Sequence, residues 1–315
     1  MEKIIVILGP TATGKTTLAV KLAKKFHGEI ISADSRAIYR GLSIGTAKPR
    51  GKWKTNTIDG RQLCLFLYKN IPHHIVDFLS PKKSFSAHDF AIKSKKLIRS
   101  IDLPIVTGGT GFWIDALVNN TALGNTSPNQ DLRKKLAKKS LGQLFGQLKK
   151  LDPNRASTIQ RSNKRRLIRA IEIAVNILRV KRSGIEKFST GLSADKQAQT
   201  INYHTLYLGI NFPNTTIKKR IHKRFLLWLK QGLAAETKKL TKQVGKKRLK
   251  EIGLAYPIVA EYLEEKITKP EMIERSVNSI YHYAKRQKTW FKRNKKIHWI
   301  KTYKQAEKLT KRFLK

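Results

Sequence analysis

Gly9-Pro10-Thr11-Ala12-Thr13-Gly14-Lys15-Thr16 fits the pattern G-x-x-x-x-G-K-[ST] and is the part of the chain best equipped for phosphate chemistry. In that pattern the glycines let successive backbone N–H groups turn inward onto phosphate oxygens. The helix that follows adds the positive end of its dipole. Lys15 brings a point charge to the distal phosphate, and the Thr16 hydroxyl is the candidate ligand for Mg²⁺. Residues 9–16 therefore predict a di- or triphosphate site. A second reactive group follows at Asp34, in Ile30-Ile31-Ser32-Ala33-Asp34-Ser35-Arg36. A carboxylate there could hold a metal, act as a general base or cap a helix. A kinase or NTPase usually carries a metal-binding acid after a later strand. Kinase chemistry is the rival reading of the same loop, but Thr107-Gly108-Gly109-Thr110-Gly111 offers no such acid, which counts against it.

These residues need elements to hold them. Lys3 to Leu8 is a β-branched run that reads as a buried strand entering the Gly9-Pro10 turn. Leu18, Ala19, Leu22, Ala23 and Phe26 then fall at helical spacing, and Ile30 to Ser32 reads as a second strand. Ile105 to Thr107 is a third, ending in the glycine turn and followed by a helix over 112–118. Strand, glycine turn and helix in repetition predict an α/β fold, a P-loop NTPase-like parallel sheet flanked by helices. From about Asn119 to Gln199, helical patterns appear without strand signals. The expectation is a helical insertion domain over 121–199 that interrupts a discontinuous catalytic core, 1–120 and 200–315. Tyr207 to Phe212 returns to a strand, and a long helix follows whose stripe is Ile217, Ile221, Phe225, Trp228, Leu229 and Leu233.

The chain has 315 residues, and 66 Lys+Arg against 21 Asp+Glu leave a formal net charge of +45. With 40% apolar residues it can bury a core, which excludes a disordered basic tail. The lone Cys64 excludes a disulfide framework within one chain. No apolar run approaches the roughly 18 residues of a membrane span. These features predict a soluble cytoplasmic protein. The charge suits a polyanionic partner, because phosphates neutralised by Lys or Arg release condensed counterions. A non-enzymatic RNA-binding protein is thus a further rival, though it has no need of a phosphate loop paired with Asp34.

Longer words in the sequence decide among these. Residues 34–49, from Asp34-Ser35-Arg36-Ala37 to Gly45-Thr46-Ala47-Lys48-Pro49, resemble the signature that follows the phosphate loop in tRNA dimethylallyltransferases. Pro72-His73-His74-Ile75-Val76-Asp77 is similar to that family's PHH-x-x-D segment, and Gly108-Gly109-Thr110-Gly111 to its GGTG turn. Arg165-Arg166-Leu167-Ile168-Arg169 resembles its arginine helix, and residues 283–293 its KRQ-x-TW segment. With the loop, six motifs stand in the family's order along nearly the whole chain. The resemblance implies the bacterial type, without the zinc-finger extension of eukaryotic relatives.

It also implies a reaction. Dimethylallyl diphosphate places its diphosphate on Gly9, Pro10, Thr11, Ala12, Thr13, Gly14, Lys15 and Thr16, with Mg²⁺ at Thr16 as the cofactor. The exocyclic amine of the adenosine beside the anticodon (tRNA position 37), in tRNAs reading codons that start with U, attacks the prenyl carbon and diphosphate leaves. Asp34 matches the catalytic base, while Thr110 and Arg169, or Arg166 in place of Arg169, are the expected donors to the leaving oxygen. The anticodon stem-loop is expected to contact Asp34, Ser35, Arg36, Ala37, Arg165, Arg166, Arg169, Lys285, Arg286, Gln287, Trp290, Lys292 and Arg293. Trp290 has a core-packing alternative to base stacking. A monomer without membrane contact is expected. His73 and His74 read as local hydrogen-bonding residues at a strand end, not as metal ligands.

Some stretches depart from the family's pattern. Ser43 stands where the family commonly has Asp, and residues 250–256 match only loosely. The connection from about Lys54 to Asn70, containing Leu63-Cys64-Leu65-Phe66-Leu67-Tyr68, is longer and more apolar than the pattern implies.

Overall fold

A computed structural model of the chain describes residues 2–58, 61–119, 129–182 and 202–315. The chain divides into two compact units, Met1–Thr121 with Asn202–Lys315, and Ala122–Ile201. In chain order the first unit begins with β1 (Lys3–Leu8), α1 (Lys15–Phe26), β2 (Glu29–Ser32), β3 (Lys52–Ile58), β4 (Arg61–Tyr68) and β5 (Ile71–His74). It continues with α2 (Ala87–Ile98), β6 (Pro104–Gly108) and α3 (Gly111–Val118). The second unit carries α4 (Gln130–Ala137), α5 (Leu141–Leu151), α6 (Pro153–Thr158) and α7 (Lys164–Arg182). The first unit resumes with β7 (His204–Ile210), α8 (Asn214–Lys230), α9 (Leu233–Ile252), α10 (Tyr256–Leu263), α11 (Lys269–Phe291), β8 (Ile297–Ile300) and α12 (Tyr303–Leu314).

One sheet runs β3-β4-β5-β2-β6-β1-β7-β8. From β5 to β8 every pairing is parallel, whereas β3 and β4 join antiparallel at one edge. The central strands are continuous apolar runs because both faces of a parallel sheet are covered. In β1, Ile5 and Ile7 face a cluster with Leu18, Ala19 and Leu22 of α1 and Ala306 of α12. Ile4 and Val6 alternate with them and are equally inaccessible to solvent. The α/β fold with a mostly parallel, helix-flanked sheet is the one expected from the strand–glycine–helix repeats.

The stripe from Ile217 to Leu233 is divided between two helices, not carried by one. The chain turns at Gly232, so Leu233 begins α9. The second unit has a core of its own, in which Leu136, Leu144 and Leu148 pack with Leu167, Ala170 and Ile171. Among the described residues, no helix is long and apolar enough to cross a membrane.

Parallel strands share one carboxyl edge, and ligands of open α/β sheets bind there. The turns after β1, β2 and β6 meet at that edge, and their approach is tight. A Cβ built on Gly108 would lie 2.1 Å from the carbonyl oxygen of Ala33, which is backbone and cannot swing away. Gly108→Ala is therefore expected to destabilise the fold by about 1–3 kcal/mol and lower Tm by roughly 2–12 °C. Thermal unfolding checks this, and an unchanged Tm would mean that the two turns are not in contact.

Candidate active site

The phosphate loop closes on itself before any ligand arrives. Gly14, at φ 89°, caps α1 in the left-handed region, so the first-turn amides of α1 point out of the helix with no intrahelical acceptor. The buried Thr13 hydroxyl donates to the Pro10 carbonyl at 2.8 Å, and the Lys15 ammonium donates to the same carbonyl at 2.7 Å. Burial outweighs the attraction of Asp34 and, with Arg224 nearby, lowers the Lys15 pKa to about 8. The lysine is thus drawn back over a concave row of amides, held in a place where a diphosphate would reclaim it.

Arg224 stands beside the loop and was not among the residues expected from sequence. Its Nη2 donates to Thr11 Oγ1 at 2.8 Å, and its guanidinium lies 4.7 Å from the centre of the Trp228 ring. Burial pushes its pKa down to about 10, which leaves it charged at neutral pH. Its Nε is buried with no partner among the described residues. A buried cationic N–H left unpaired is costly, and an anion in the loop would satisfy it. The signal for Arg224 was its place on α8, three residues after Ile221 and four before Trp228, on the stripe side of the helix.

Asp34 follows β2 and serves its own turn. Its Oδ1 accepts from Arg36 N at 2.9 Å and from Ala37 N at 3.3 Å, so it ties a turn, and no helix begins there for it to cap. No described residue bonds to Oδ2, so one oxygen holds the turn and the other is open to the cavity. The cavity is lined by Thr11, Lys15, Asp34, Arg224 and Gln287, among others. Loop lysine and carboxylate therefore share one chamber, and Trp228, Leu254 and Ile280 give it apolar walls.

The glycine turn supports this chamber from the side. Thr110 Oγ1 accepts from Ser35 N at 3.1 Å and donates to Ser35 Oγ at 3.3 Å, so its proton is committed and it orients the Asp34–Ser35 turn. Gln287 of α11 joins two loops, since its Oε1 accepts from Thr11 N and its Nε2 donates to Gly109 O, each at 2.8 Å. It is 6% exposed. Gln287 thus positions both loops with one lone pair and one N–H, and it also lines the cavity. Ala37, expected to touch tRNA, is instead buried against Phe66 and Val76.

Trp290 is half-buried and packs against the glycine turn. Its Nε1 donates to Asp115 Oδ2 at 2.8 Å, and a Cβ on Gly111 would come within 2.3 Å of its ring. Arg36 is tied down, with Nε donating to the Ile252 carbonyl at 2.8 Å and the guanidinium 4.7 Å from the Tyr283 ring centre. Lys285, Arg286, Lys292 and Arg293 are exposed along the outer side and end of α11. In the second unit, Arg165 and Arg166 are exposed, and Arg169 meets the buried Glu172 at 2.5 Å, where Arg133 also bonds. His73 and His74 bond locally, to the Ile71 carbonyl at 2.9 Å and to Glu29 at 2.6 Å.

The cavity wall at Gly45 and Thr46 depends on a residue that the sequence did not single out. The Glu236 carboxylate accepts from the backbone N–H groups of Ser43, Ile44 and Gly45 at 2.9–3.1 Å and from the Tyr256 hydroxyl at 2.7 Å. Burial beside that carboxylate pushes the Tyr256 phenol far up. Lys48 adds a second brace. It is buried, donates to the Tyr39 carbonyl at 2.6 Å and pairs with Asp77. Desolvation lowers the Lys48 pKa against the pull of Asp77.

For a cation, the site offers hard oxygen. Among the described residues no group of three His, Cys, Asp or Glu could hold a metal alone. Thr16, in the first turn of α1, carries the hydroxyl that would hold a hard cation such as Mg²⁺ there.

The chain is similar to known proteins over nearly its whole length. The IPP transferase family pattern matches residues 37–294, and an isopentenyl transferase pattern matches residues 2–58. A tRNA dimethylallyltransferase of Pediococcus pentosaceus is 36% identical over 307 residues, covering 95% of this chain and 91% of that one. One from Staphylococcus epidermidis is 36% identical over 310 residues, covering 94% and 86%. Among solved structures, the tRNA isopentenylpyrophosphate transferase of Bacillus halodurans aligns at TM-score 0.65 and 30% identity, covering 100% of this chain and 95% of that one. A eukaryotic dimethylallyltransferase described as acting on tRNA aligns at TM-score 0.70 and 25% identity, covering 92% and 70%. Matches of this extent run through the loop, the Asp34 turn and the α11 segment that together build the cavity, and they make the chain a member of the IPP transferase family of tRNA dimethylallyltransferases.

Proposed function

We propose that the chain transfers a dimethylallyl group from dimethylallyl diphosphate to the exocyclic N6 of the adenosine beside the anticodon of tRNA, releasing diphosphate. The observation that carries this reading is the shared chamber: Lys15 and Asp34 line one cavity with apolar side walls. A diphosphate needs the first, a proton-releasing nucleophile the second, and a prenyl chain the third. A kinase does not need a hydrocarbon wall between its phosphate loop and its base.

In this mechanism the first-turn amides of α1, Lys15 and the unpaired Nε of Arg224 hold the diphosphate. Thr16 would hold Mg²⁺, which would supply charge neutralisation on the leaving diphosphate. Trp228, Leu254 and Ile280 receive the five-carbon chain and keep water from its first carbon. The adenine amine is a weak nucleophile because its lone pair is delocalised into the ring. As the N6–C bond forms, the allylic C–O bond breaks and its electron pair leaves with diphosphate. The N6 proton passes to Asp34 Oδ2. Thr110 holds the Asp34 turn in place. Arg169, or Arg166 in its place, is assigned from its motif position as a donor to the departing oxygen.

The flipped adenine leaves its stack at a cost of a few kcal/mol, offset by contacts to neighbouring nucleotides. We assign those contacts to Ser35, Arg36, Arg165, Arg166, Lys285, Arg286, Lys292 and Arg293. The protein acts in this reading as a cytoplasmic monomer.

Incubation with dimethylallyl diphosphate, Mg²⁺ and tRNA, followed by nucleoside mass spectrometry, should show one adenosine heavier by a dimethylallyl group. Absence of that product contradicts the reading. Asp34→Asn keeps an Oδ1 acceptor for the turn and loses only the base. Its kcat should fall by about 10²–10⁴ with little change in either KM, whereas equal losses in tRNA binding would reduce Asp34 to a brace for its turn.

Lys15 gives the reaction a pH signature. Its folded-state pKa of about 8 means that the ammonium is present below that pH and lost above it. Affinity for the diphosphate donor should therefore decline as pH rises through about 8, by at most about tenfold per unit. Calorimetric titration of the donor without tRNA isolates this effect, and constant affinity across that range would show that Lys15 does not hold the anion.

A further inference from the structure

The loosely matching stretch 250–256 contains a leucine in a backbone conformation that leucine rarely adopts. Leu254 has φ 57°, and Gly253 before it has φ 77°. In that region the Cβ crowds the following carbonyl oxygen, so a residue other than glycine stays there only where its surroundings hold it. Two anchors hold this one. Before it, the Ile252 carbonyl accepts from Arg36 Nε at 2.8 Å, and the Arg36 guanidinium lies 4.7 Å from the Tyr283 ring centre. After it, Ala255 and Tyr256 are buried, and the Tyr256 hydroxyl donates to Glu236 at 2.7 Å. Glycine at 254 would trace the same backbone without strain. What leucine adds is bulk in the cavity wall, which it shares with Trp228 and Ile280. Its neighbours Ile252, Ala255 and Tyr256 already supply the packing of this segment, whereas Leu254 is only half-buried.

α11 gives the depth of that wall. Gln287 bonds Thr11 of the phosphate loop, and Tyr283 and Ile280 line the same cavity further back along the helix. At 1.5 Å per residue they stand about 6 and 10 Å from Gln287. Leu254 belongs to this far end, because Arg36 bonds Ile252 and rests on Tyr283. An extended five-carbon allylic chain reaches roughly 5 Å from its oxygen, and a second isoprene unit about doubles that. The longer chain would run into the leucine.

We propose that Leu254 is a specificity-determining residue for the donor, limiting the allylic chain to five carbons and refusing the ten-carbon homologue, geranyl diphosphate. This rests on the reading that an allylic diphosphate is the donor, and it adds which members of that class are excluded. The reaction itself is the same for either chain. The N6–C bond forms, the allylic C–O bond breaks with its electron pair leaving on diphosphate, and the N6 proton passes to Asp34.

The test gives tRNA and an equimolar mixture of dimethylallyl and geranyl diphosphates to the full chain, to Leu254→Ala and to Leu254→Gly. Nucleoside mass spectrometry then counts the two modified adenosines, and their ratio reads the ratio of the two kcat/KM values. The full chain should favour the five-carbon product by about a hundredfold or more. Both variants should shift the ratio toward the ten-carbon product by about tenfold or more, with KM for tRNA held within about twofold. Leu254→Gly removes the same side chain while relieving the backbone, so it isolates the side chain if Leu254→Ala loses stability. A full chain that uses both donors equally overturns the proposal without any variant. So do variants that lose both products in parallel, which makes Leu254 a packing residue, and variants whose only change is a higher KM for tRNA, which places it against the purine. If the full chain yields neither product, the proposed function fails, whereas dimethylallyl transfer with an unchanged product ratio in the variants removes the role of Leu254 alone.

Discussion

The site depends on a single side-chain amide. The phosphate loop follows β1, the glycine turn follows β6, and neither bonds the other through backbone at the point where both face the cavity. Gln287 reaches between them from α11, taking the N–H of Thr11 and giving its own N–H to the Gly109 carbonyl. Each bond alone has the modest net worth of an ordinary hydrogen bond, about 0.5–1.5 kcal/mol. Their joint effect is geometric: two loops and a long helix share one register, so the lysine, the carboxylate and the apolar wall supplied by Ile280 of α11 open on the same space.

Around that bridge, buried polar groups do what packing alone does poorly. Three consecutive N–H groups on Glu236, and Lys48 between the Tyr39 carbonyl and Asp77, define where the 43–48 segment lies. Buried charges are seldom a net source of stability. Their value here is to give a loop without regular structure one conformation. The same balance prepares the chemistry. Lys15 and Arg224 are concentrated where burial disfavours their charge, and Asp34 alone among nearby carboxylates faces them. A diphosphate relieves that imbalance, which makes the loop a receptor for an anion.

The sequence made the strand, loop and helix around residues 3–26 legible, because an apolar run, a glycine pattern and a 3.6-residue period agree there. Asp34 and the glycine turn were legible as motifs at the ends of strands. Arg224 was hidden by abundance, since one functional cation among 66 basic residues has no compositional mark. Glu236 was hidden for a different reason: an acid in the first turn of a helix is already explained by the helix dipole. Gln287 was singled out only as an RNA contact, and its task of joining the two loops was missed. Its spacing from Ile280, Ala284 and Phe291 places it on the buried face of α11, a sign available in the periodicity but outweighed by the basic residues beside it. The β3–β4 hairpin was visible as an unusually apolar connection, while its antiparallel pairing depends on a sheet edge that no local pattern specifies.

The central claim is that one chamber holds the anion and the base on either side of the reacting carbon. Diffraction from crystals soaked with a non-reactive dimethylallyl diphosphate analogue tests it most directly. The account predicts phosphate oxygens within hydrogen-bonding distance of Lys15 Nζ, the Arg224 guanidinium and the first amides of α1, with the prenyl chain against Trp228 and Ile280 and its first carbon facing Asp34. An analogue bound elsewhere, or bound in the loop with its chain turned away from Asp34, would contradict it.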